Sequence, residues 1–199
     1  MNIGAIRNLL LKHPGILLEP PEILLIAKGL MEFHPCNFLV FGMGNDTSLW
    51  MDINSGGRTA FIEDNAEWYS KVMELCPGAE SYLVAYNTRI SEWEQLLDNH
   101  DRLAINLPPE ITSVQWDVIL VDGPSGDYPN YTRRHGVEPP GRMSSIYMSS
   151  HLVKTKGYVF VHDCNRLVER VYSDRYLFDS NLIEQTRTER QLRKYKIKR

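Results

Sequence analysis

The stretch Phe38-Leu-Val-Phe-Gly-Met-Gly-Asn-Asp46 constrains the fold most: an apolar run breaks into two glycines one residue apart and then an aspartate. A strand ending in Gly-x-Gly offers bare backbone to a ligand, because a Cβ at Gly42 or Gly44 would fill space that a nucleotide-like group needs. The dinucleotide fingerprint requires a third glycine three residues on, and Thr47 stands there, which disfavours a nicotinamide or flavin dinucleotide. The same turn, followed by an acidic end on a second strand, suits the nucleoside of S-adenosylmethionine, which has no pyrophosphate to wrap. Arg58-Thr-Ala-Phe-Ile-Glu63-Asp64 provides that acidic end. Taken alone, Gly-x-Gly is equally a tight turn.

Helical and extended patterns alternate along the rest of the chain. Residues 2–12 and 20–32 carry apolar positions at helical spacing, separated by the His13-Pro14-Gly15 breaker. The first strand (37–41) precedes a short turn of helix from Asp46-Thr-Ser48 to Met51, with Asp46 as a candidate cap. Strands are expected at 58–63, 81–86, 116–122 and 157–162, with helices at 66–75, 90–99 and 142–152. Residues 123–141 read as a long loop, and loops of that length in a compact domain usually carry function. A last pair of strands, 182–186 and 191–197, forms a hairpin. The predicted class is α/β, a Rossmann-like, mostly parallel doubly wound sheet with a terminal antiparallel hairpin. The 199 residues, 43% of them hydrophobic, suffice for a single domain: N-terminal helices over 1–35 and the core over 36–199.

A formal net charge of −3 gives no reason to expect nucleic acid as a partner. Basic residues nevertheless crowd the end of the chain, at Arg187, Arg190, Arg193, Lys194, Lys196, Lys198 and Arg199. They read as a solvated strand and tail, or as a docking strip for an acidic glycan. Cys36, Cys76 and Cys164 have neither disulfide-framework nor zinc spacing, so a reducing compartment is expected. Lys12, His13, Pro14 and Glu19 to Glu22 interrupt the N-terminal apolar residues well short of a membrane span. The expectation is a soluble, cytoplasmic chain, or a domain of a longer protein.

In open parallel sheets ligands lie beyond the carboxyl ends of the strands. Those ends here hold Gly42 and Gly44, Glu63 and Asp64, Asn87 and Thr88, Asp122, and His162, Asp163 and Asn165. Glu63 suits the two ribose hydroxyls. Methyl transfer to a sugar hydroxyl requires that a proton be lost, so a base or a cation that acidifies the hydroxyl is expected. His162, neutral near its ordinary pKa of about 6.5, is a candidate base. Asp122 and Asp163 are candidate hard-oxygen ligands for a cation, with His162 or Asn165 completing the set. In the long loop, Tyr128 and Tyr131 could stack on a pyranose ring, and Arg133, Arg134 and Arg142 could bind an acidic sugar.

Phe38 to Trp50, Phe61 to Tyr69, Trp116 to Gly126, Pro140-Gly-Arg-Met143 and Val161-His-Asp-Cys-Asn-Arg-Leu-Val-Glu169 together resemble a polysaccharide-biosynthesis family. It includes plant glucuronoxylan 4-O-methyltransferases and arabinogalactan glucuronic acid methyltransferases. The resemblance covers roughly residues 36–178. It implies a Rossmann-like transferase that uses S-adenosylmethionine to methylate a glycan hydroxyl, aided by a divalent cation such as manganese, magnesium or cobalt. The expected cofactor-binding set is Gly42, Gly44, Asp46, Glu63, Asp64, Thr88 and Asp122. The expected catalytic set is Asp122, Arg142, His162 and Asp163, and the expected metal ligands are Asp122 and Asp163. Two other readings use the same fold: a metal-dependent, catechol-type O-methyltransferase of small molecules, and a non-catalytic glycan-binding module.

Overall fold

The apolar runs become strands whose alternate residues face opposite layers. In the computed structural model, residues 3–198 are described; Asn2, at the start of the first expected helix, and Arg199, in the basic tail, lie outside them. Two helices, α1 (Ile3–Leu10) and α2 (Pro20–Phe33), precede β1 (Asn37–Phe41). There follow α3 (Thr47–Ile53), β2 (Arg58–Glu63), α4 (Ala66–Leu75) and β3 (Glu80–Leu83). Three short helices, α5 (Trp93–Leu96), α6 (His100–Leu103) and α7 (Pro109–Thr112), lead to β4 (Trp116–Val121). The chain continues through α8 (Asn130–His135), α9 (Met143–Leu152), β5 (Val153–Val161) and α10 (Leu167–Ser173), and ends in β6 (Leu182–Gln185) and β7 (Arg193–Lys196).

The seven strands form one sheet in the order β3-β2-β1-β4-β5-β7-β6. The first five are parallel, and β7 runs antiparallel to both β5 and β6. Phe38 and Val40, Val118 and Leu120, and Tyr158 and Phe160 face one layer, with Ile23, Ile26 and Leu30 of α2, and Leu49 and Trp50 of α3. Leu39 and Phe41, Ile119 and Val121, and Val159 and Val161 face the other, with Met143 and Ile146 of α9 and Tyr172 of α10. Each such side chain stabilises the fold by about 1.5–3 kcal/mol on leaving water. The strands are buried on both faces, so their apolar runs are nearly continuous.

Strand order reverses between β1 and β4, which leaves a crevice at their carboxyl ends. Among the described residues no helix is long and apolar enough to cross a membrane.

Three local expectations fail. β5 starts at Val153 rather than 157, because Val153 pairs with Trp116 across a register shift; the polar Lys154, Thr155 and Lys156 masked its start. Residues 90–99 hold a 3₁₀ turn (Ile90–Glu92) and then α5, not one helix. The long loop contains α8, which stops at Gly136 in a left-handed conformation (φ 71°), the Gly136 N–H donating to Thr132 O.

Candidate functional site

The carboxyl ends of β1, β2, β4 and β5 surround a cavity of about 550 Å³, within the range of small-molecule sites. Gly42, Gly44, Asp46, Glu63, Asp64, Asp122, Arg142 and Asp163 line it. Thr88 and His162 are not among the lining residues. Thr88, expected to touch a cofactor, is buried and donates its hydroxyl to Pro140 O at 3.0 Å, which ties the end of β3 to the approach to α9.

The glycines serve the protein before they serve a ligand. Gly42 has φ +108°, and a Cβ there would stand 3.0 Å from the Gly123 nitrogen and 3.1 Å from its Cα. A side chain is thus excluded at Gly42 by the close crossing of the turns after β1 and β4. A Cβ on Gly44 would meet Asp46 Oδ1 at 2.6 Å. Asp46 stands at the N-cap position of α3 but its side chain does not cap the helix: Oδ2 accepts the Trp50 indole N–H at 2.7 Å.

Glu63, expected to hold a ribose, already accepts three backbone hydrogen bonds. Oε2 takes the Met43 N–H at 2.9 Å, and Oε1 takes those of Asp64 (3.0 Å) and Asn65 (2.9 Å). Its structural work is to lock the β1 turn against the β2 turn. Asp64 beside it is pushed up to about 7, by burial and by the Glu63 charge. Asp46 is pushed up to about 6, by burial and by Asp122, despite the Trp50 hydrogen bond. This wall of the cavity therefore crowds carboxyl groups whose mutual repulsion a cationic ligand would relieve.

Ionic contacts dominate the opposite side. His162 is 1% exposed, with Nδ1 2.8 Å from Asp122 Oδ1 and Nε2 3.4 Å from Glu22 Oε2. Burial alone would lower its pKa, but the two carboxylates outweigh burial and lift it to about 9. The expected neutral base is therefore an imidazolium held inside the protein. Burial would likewise raise Asp122, yet His162 and Arg142 hold it at about 2. Glu22 sits in α2, fully buried, and accepts the Thr188 hydroxyl at 2.5 Å and the Glu19 N–H at 2.9 Å.

Arg142, expected to bind acceptor, is 5% exposed and turns its donors inward. Nη1 donates to His162 O at 2.8 Å, and Nη2 to Asp122 O at 2.8 Å and Asp122 Oδ1 at 3.1 Å. Nε reaches Pro124 O at 3.3 Å, and Nη2 also pairs with Asp163 Oδ2 at 2.7 Å. It clamps the ends of β4 and β5 together. Asp163, at φ +61°, is held in a left-handed conformation that costs a non-glycine residue about 1–3 kcal/mol. Its carboxylate also faces Arg166 Nη1 at 3.1 Å and Arg190 Nε at 4.0 Å.

Asp122, His162 and Asp163 offer ligand atoms within 4.8 Å of one another, the geometry of a candidate cation site. The donor set does not fit a resident divalent ion. Arg142 bridges the two carboxylates, and a metal would have to displace it.

Of the loop residues, Tyr131 and Arg134 line the cavity, whereas Tyr128 and Arg133 do not. Tyr131 packs on His135 with ring centroids 4.3 Å apart. Four groups at the site escaped the sequence reading. Glu22 reads as part of a polar helix start; of the loop from Gly15 to Leu18, which lines the cavity, only Gly15 has a reading, as part of a breaker; Trp68, also lining, reads as helix; and Arg166 carries no expected role. The basic tail was the only hint of Arg190. It is not uniformly solvated: Lys194 is 5% exposed, and Arg190 lines the cavity.

Among known families, the sequence profile described as IRX15/IRX15L/GXM matches residues 21–104 and 100–195. Glucuronoxylan 4-O-methyltransferase 2 of Arabidopsis thaliana is 35% identical over 185 residues, covering 82% of this chain and 61% of the relative. Arabinogalactan O-methyltransferase 2 of the same plant is 35% identical over 181 residues, covering 78% and 60%. The chain thus spans about three fifths of the length of these relatives. Among solved structures, the Thermus thermophilus 16S rRNA N2 G1207 methyltransferase in complex with AdoMet and guanosine matches with a TM-score of 0.53 at 12% identity. That match covers 93% of this chain and 44% of the other, and it speaks for the fold alone. The architecture is the Rossmann-like methyltransferase fold expected from the sequence.

Proposed function

The chain belongs to the IRX15/IRX15L/GXM family, and from that premise we propose that it transfers a methyl group from S-adenosylmethionine to a sugar hydroxyl of a glycan. The observation that carries this reading is the cavity at the β1/β4 switch point. Its carboxyl-rich wall, with Asp46, Glu63 and Asp64, faces Asp122 and the arginines beyond. Asp64 and Asp46 are the carboxyl groups with the most to gain from a cationic, diol-bearing nucleoside, and Gly42 to Gly44 would carry it on backbone. Bound there, S-adenosylmethionine supplies an electrophilic methyl carbon on a sulfonium.

Asp122 is the proton acceptor in this proposal. Its Oδ1 is occupied by His162 and Arg142, while Oδ2 has no partner among the described residues. A carboxylate held near 2 is a weak base. It suffices because the acceptor hydroxyl becomes a strong acid as its new C–O bond forms. Buried His162 and Arg142 fix the Asp122 carboxylate and keep it ionised. No step is assigned to a divalent cation. The catechol-type alternative would need one between Asp122 and Asp163, where Arg142 stands.

Calorimetric titration with S-adenosylmethionine tests the first half of the proposal. Transfer of labelled methyl to xylan- and galactan-derived oligosaccharides and to a catechol tests the second. Binding together with transfer to a sugar, lost in Asp122→Asn, is the expected result. Failure to bind at millimolar concentration, or transfer to the catechol alone, would overturn it.

A further inference from the structure

The segment that joins α1 to α2 reaches the cavity with a leucine turned to water. Gly15, Ile16, Leu17 and Leu18 all line the cavity. Leu18 is 4% exposed and belongs to the core on the α2 side of the sheet, whereas Leu17 is 72% exposed. A single exposed leucine is ordinary on a protein surface. Leu17 differs because the chain on either side of it is fixed at the mouth of a ligand-sized cavity.

The fixing comes from polar contacts to α3 and to the turn before it. Asn45 Nδ2 donates to Gly15 O at 2.9 Å. His13 Nδ1 lies 2.9 Å from Ser48 Oγ, and His13 Nε2 lies 3.2 Å from Asp52 Oδ2. Ser48 and Asp52 stand one helical turn apart and so share a face of α3. Gly15 has φ +82°, and a Cβ there would stand 2.8 Å from Asn45 Nδ2, so the segment passes the turn too closely to carry a side chain. His13 and Gly15 anchor one end of this strap and buried Leu18 anchors the other. Ile16 and Leu17 form its tip, and the entropy of ordering that tip is already lost in the free protein.

We infer that Leu17 packs against S-adenosylmethionine when the cofactor is bound, which makes the strap between α1 and α2 a wall of the cofactor site. The inference rests on the proposed reading of the cavity and adds to it a residue from outside the sheet. A methyl-transfer cavity receives two ligands, and the fastening of the strap selects the cofactor. Asn45, which holds Gly15, directly follows Gly44, the end of the turn proposed to carry the nucleoside on backbone. Side-chain chemistry agrees with this choice. A purine ring and the methylene groups beside a sulfonium gain from leaving water against leucine, whereas a ring of hydroxyls would lose hydrogen bonds there. Asp46 and Asp64 supply charge to the cation, and the strap supplies apolar area.

The test titrates S-adenosylhomocysteine into wild type, Leu17→Ser, Leu17→Met and Leu11→Ser by calorimetry, and follows the methyl NMR signals of Leu17 and Leu11 in wild type. Leu17 is exposed, so its replacement leaves the core intact. Leu11 is the control, 84% exposed and not among the lining residues. Leu17→Ser should weaken binding by about fivefold or more, the range for covering most of a leucine side chain. Leu17→Met should keep most of the affinity, Leu11→Ser all of it, and the Leu17 methyl signals alone should shift on binding. Unchanged affinity in Leu17→Ser, or an equal loss in Leu11→Ser, would overturn the inference while wild-type binding upheld the cofactor reading. Intact S-adenosylhomocysteine binding with weakened binding of a methyl glycoside in Leu17→Ser would assign the strap to the acceptor, and would also overturn it. Failure of wild type to bind at millimolar concentration would refute the cofactor reading itself, and the inference with it.

Discussion

The state of His162 makes stability depend on pH. Its pKa rises from an unfolded value of 6.5 to about 9 in the folded chain, with burial opposing and Asp122 and Glu22 driving the change. A raised folded pKa means that the native state binds the proton more tightly. The stabilisation is therefore complete below pH 6.5 and is lost as the pH climbs through about 9. At about 1.4 kcal/mol per pH unit the loss amounts to roughly 3 kcal/mol, or about 6–12 °C in Tm for a chain of this size. The low pKa of Asp122 expresses the same ion pair from its other partner and is not added. The buried thiols of Cys36 and Cys164, pushed up to about 12, begin to cost stability only above their ordinary value of 9.0. Urea denaturation of wild type and His162→Gln at half-unit steps from pH 6 to 9 measures the effect. Gln can still donate to Asp122 but cannot be charged, so the gap between the two proteins should shrink by about 3 kcal/mol across the series. A constant gap would refute the assignment of His162 as a buried cation.

Arg142→Met should cost about 3–5 kcal/mol in the same denaturation assay, because it takes the nearest cation from Asp163 and unpairs the carbonyls of Asp122, Pro124 and His162; a loss below about 1 kcal/mol would restore Arg142 to the role of a free acceptor ligand. The wall formed by Asp46 and Asp64, at about 6 and 7, should release protons when a sulfonium binds. Affinity for S-adenosylmethionine should then rise between pH 5.5 and 8, and more steeply than affinity for the neutral S-adenosylhomocysteine; parallel slopes in calorimetry would count against that wall as the cation site.

The sequence shows which residues reach the rim, and does so well, because strand ends are legible. Val118 to Val121 and Val159 to Val161 are buried runs whose next residues, Asp122 and His162, must stand at the carboxyl ends of their strands. What those residues do there depends on partners that sequence proximity does not announce. Glu63 reads as a ligand for hydroxyls, yet three backbone N–H groups, one of them from Met43 in another turn, converge on it. His162 reads as a base with an ordinary pKa, and Asp122, joined by Glu22 from the far end of the chain, changes that. Arg142 follows Pro-Gly at the mouth of a helix and reads as an acceptor ligand, whereas the carbonyls of His162 and Asp122 draw it inside. The start of β5 was hidden for a different reason: Lys154 to Lys156 pass the edge of the core, where pairing needs no apolar side chain.

The two ends of the chain complete the site together. The parallel core supplies Gly42, Glu63, Asp122 and Asp163 by strand order alone, as any sheet with this switch point places residues at its crevice. The ionisation of Asp122 and His162 is chiefly mutual, with Arg142 beside them, and groups outside the five parallel strands add to it. Glu22 of α2 adds to the hold of Asp122 on the His162 charge, and Arg190 of the terminal hairpin adds positive charge opposite Asp163. These additions are not independent, since Thr188 and Glu189 of the hairpin turn are bonded to Glu22 and Glu19 at the start of α2. A shift of either segment would move a charge on both flanks of β5. Of the two contacts, the one to the buried Glu22 carboxylate is the more strongly felt, because water screens it less. The N-terminal helix is therefore part of the electrostatic frame of the cavity rather than an extension packed against a finished sheet.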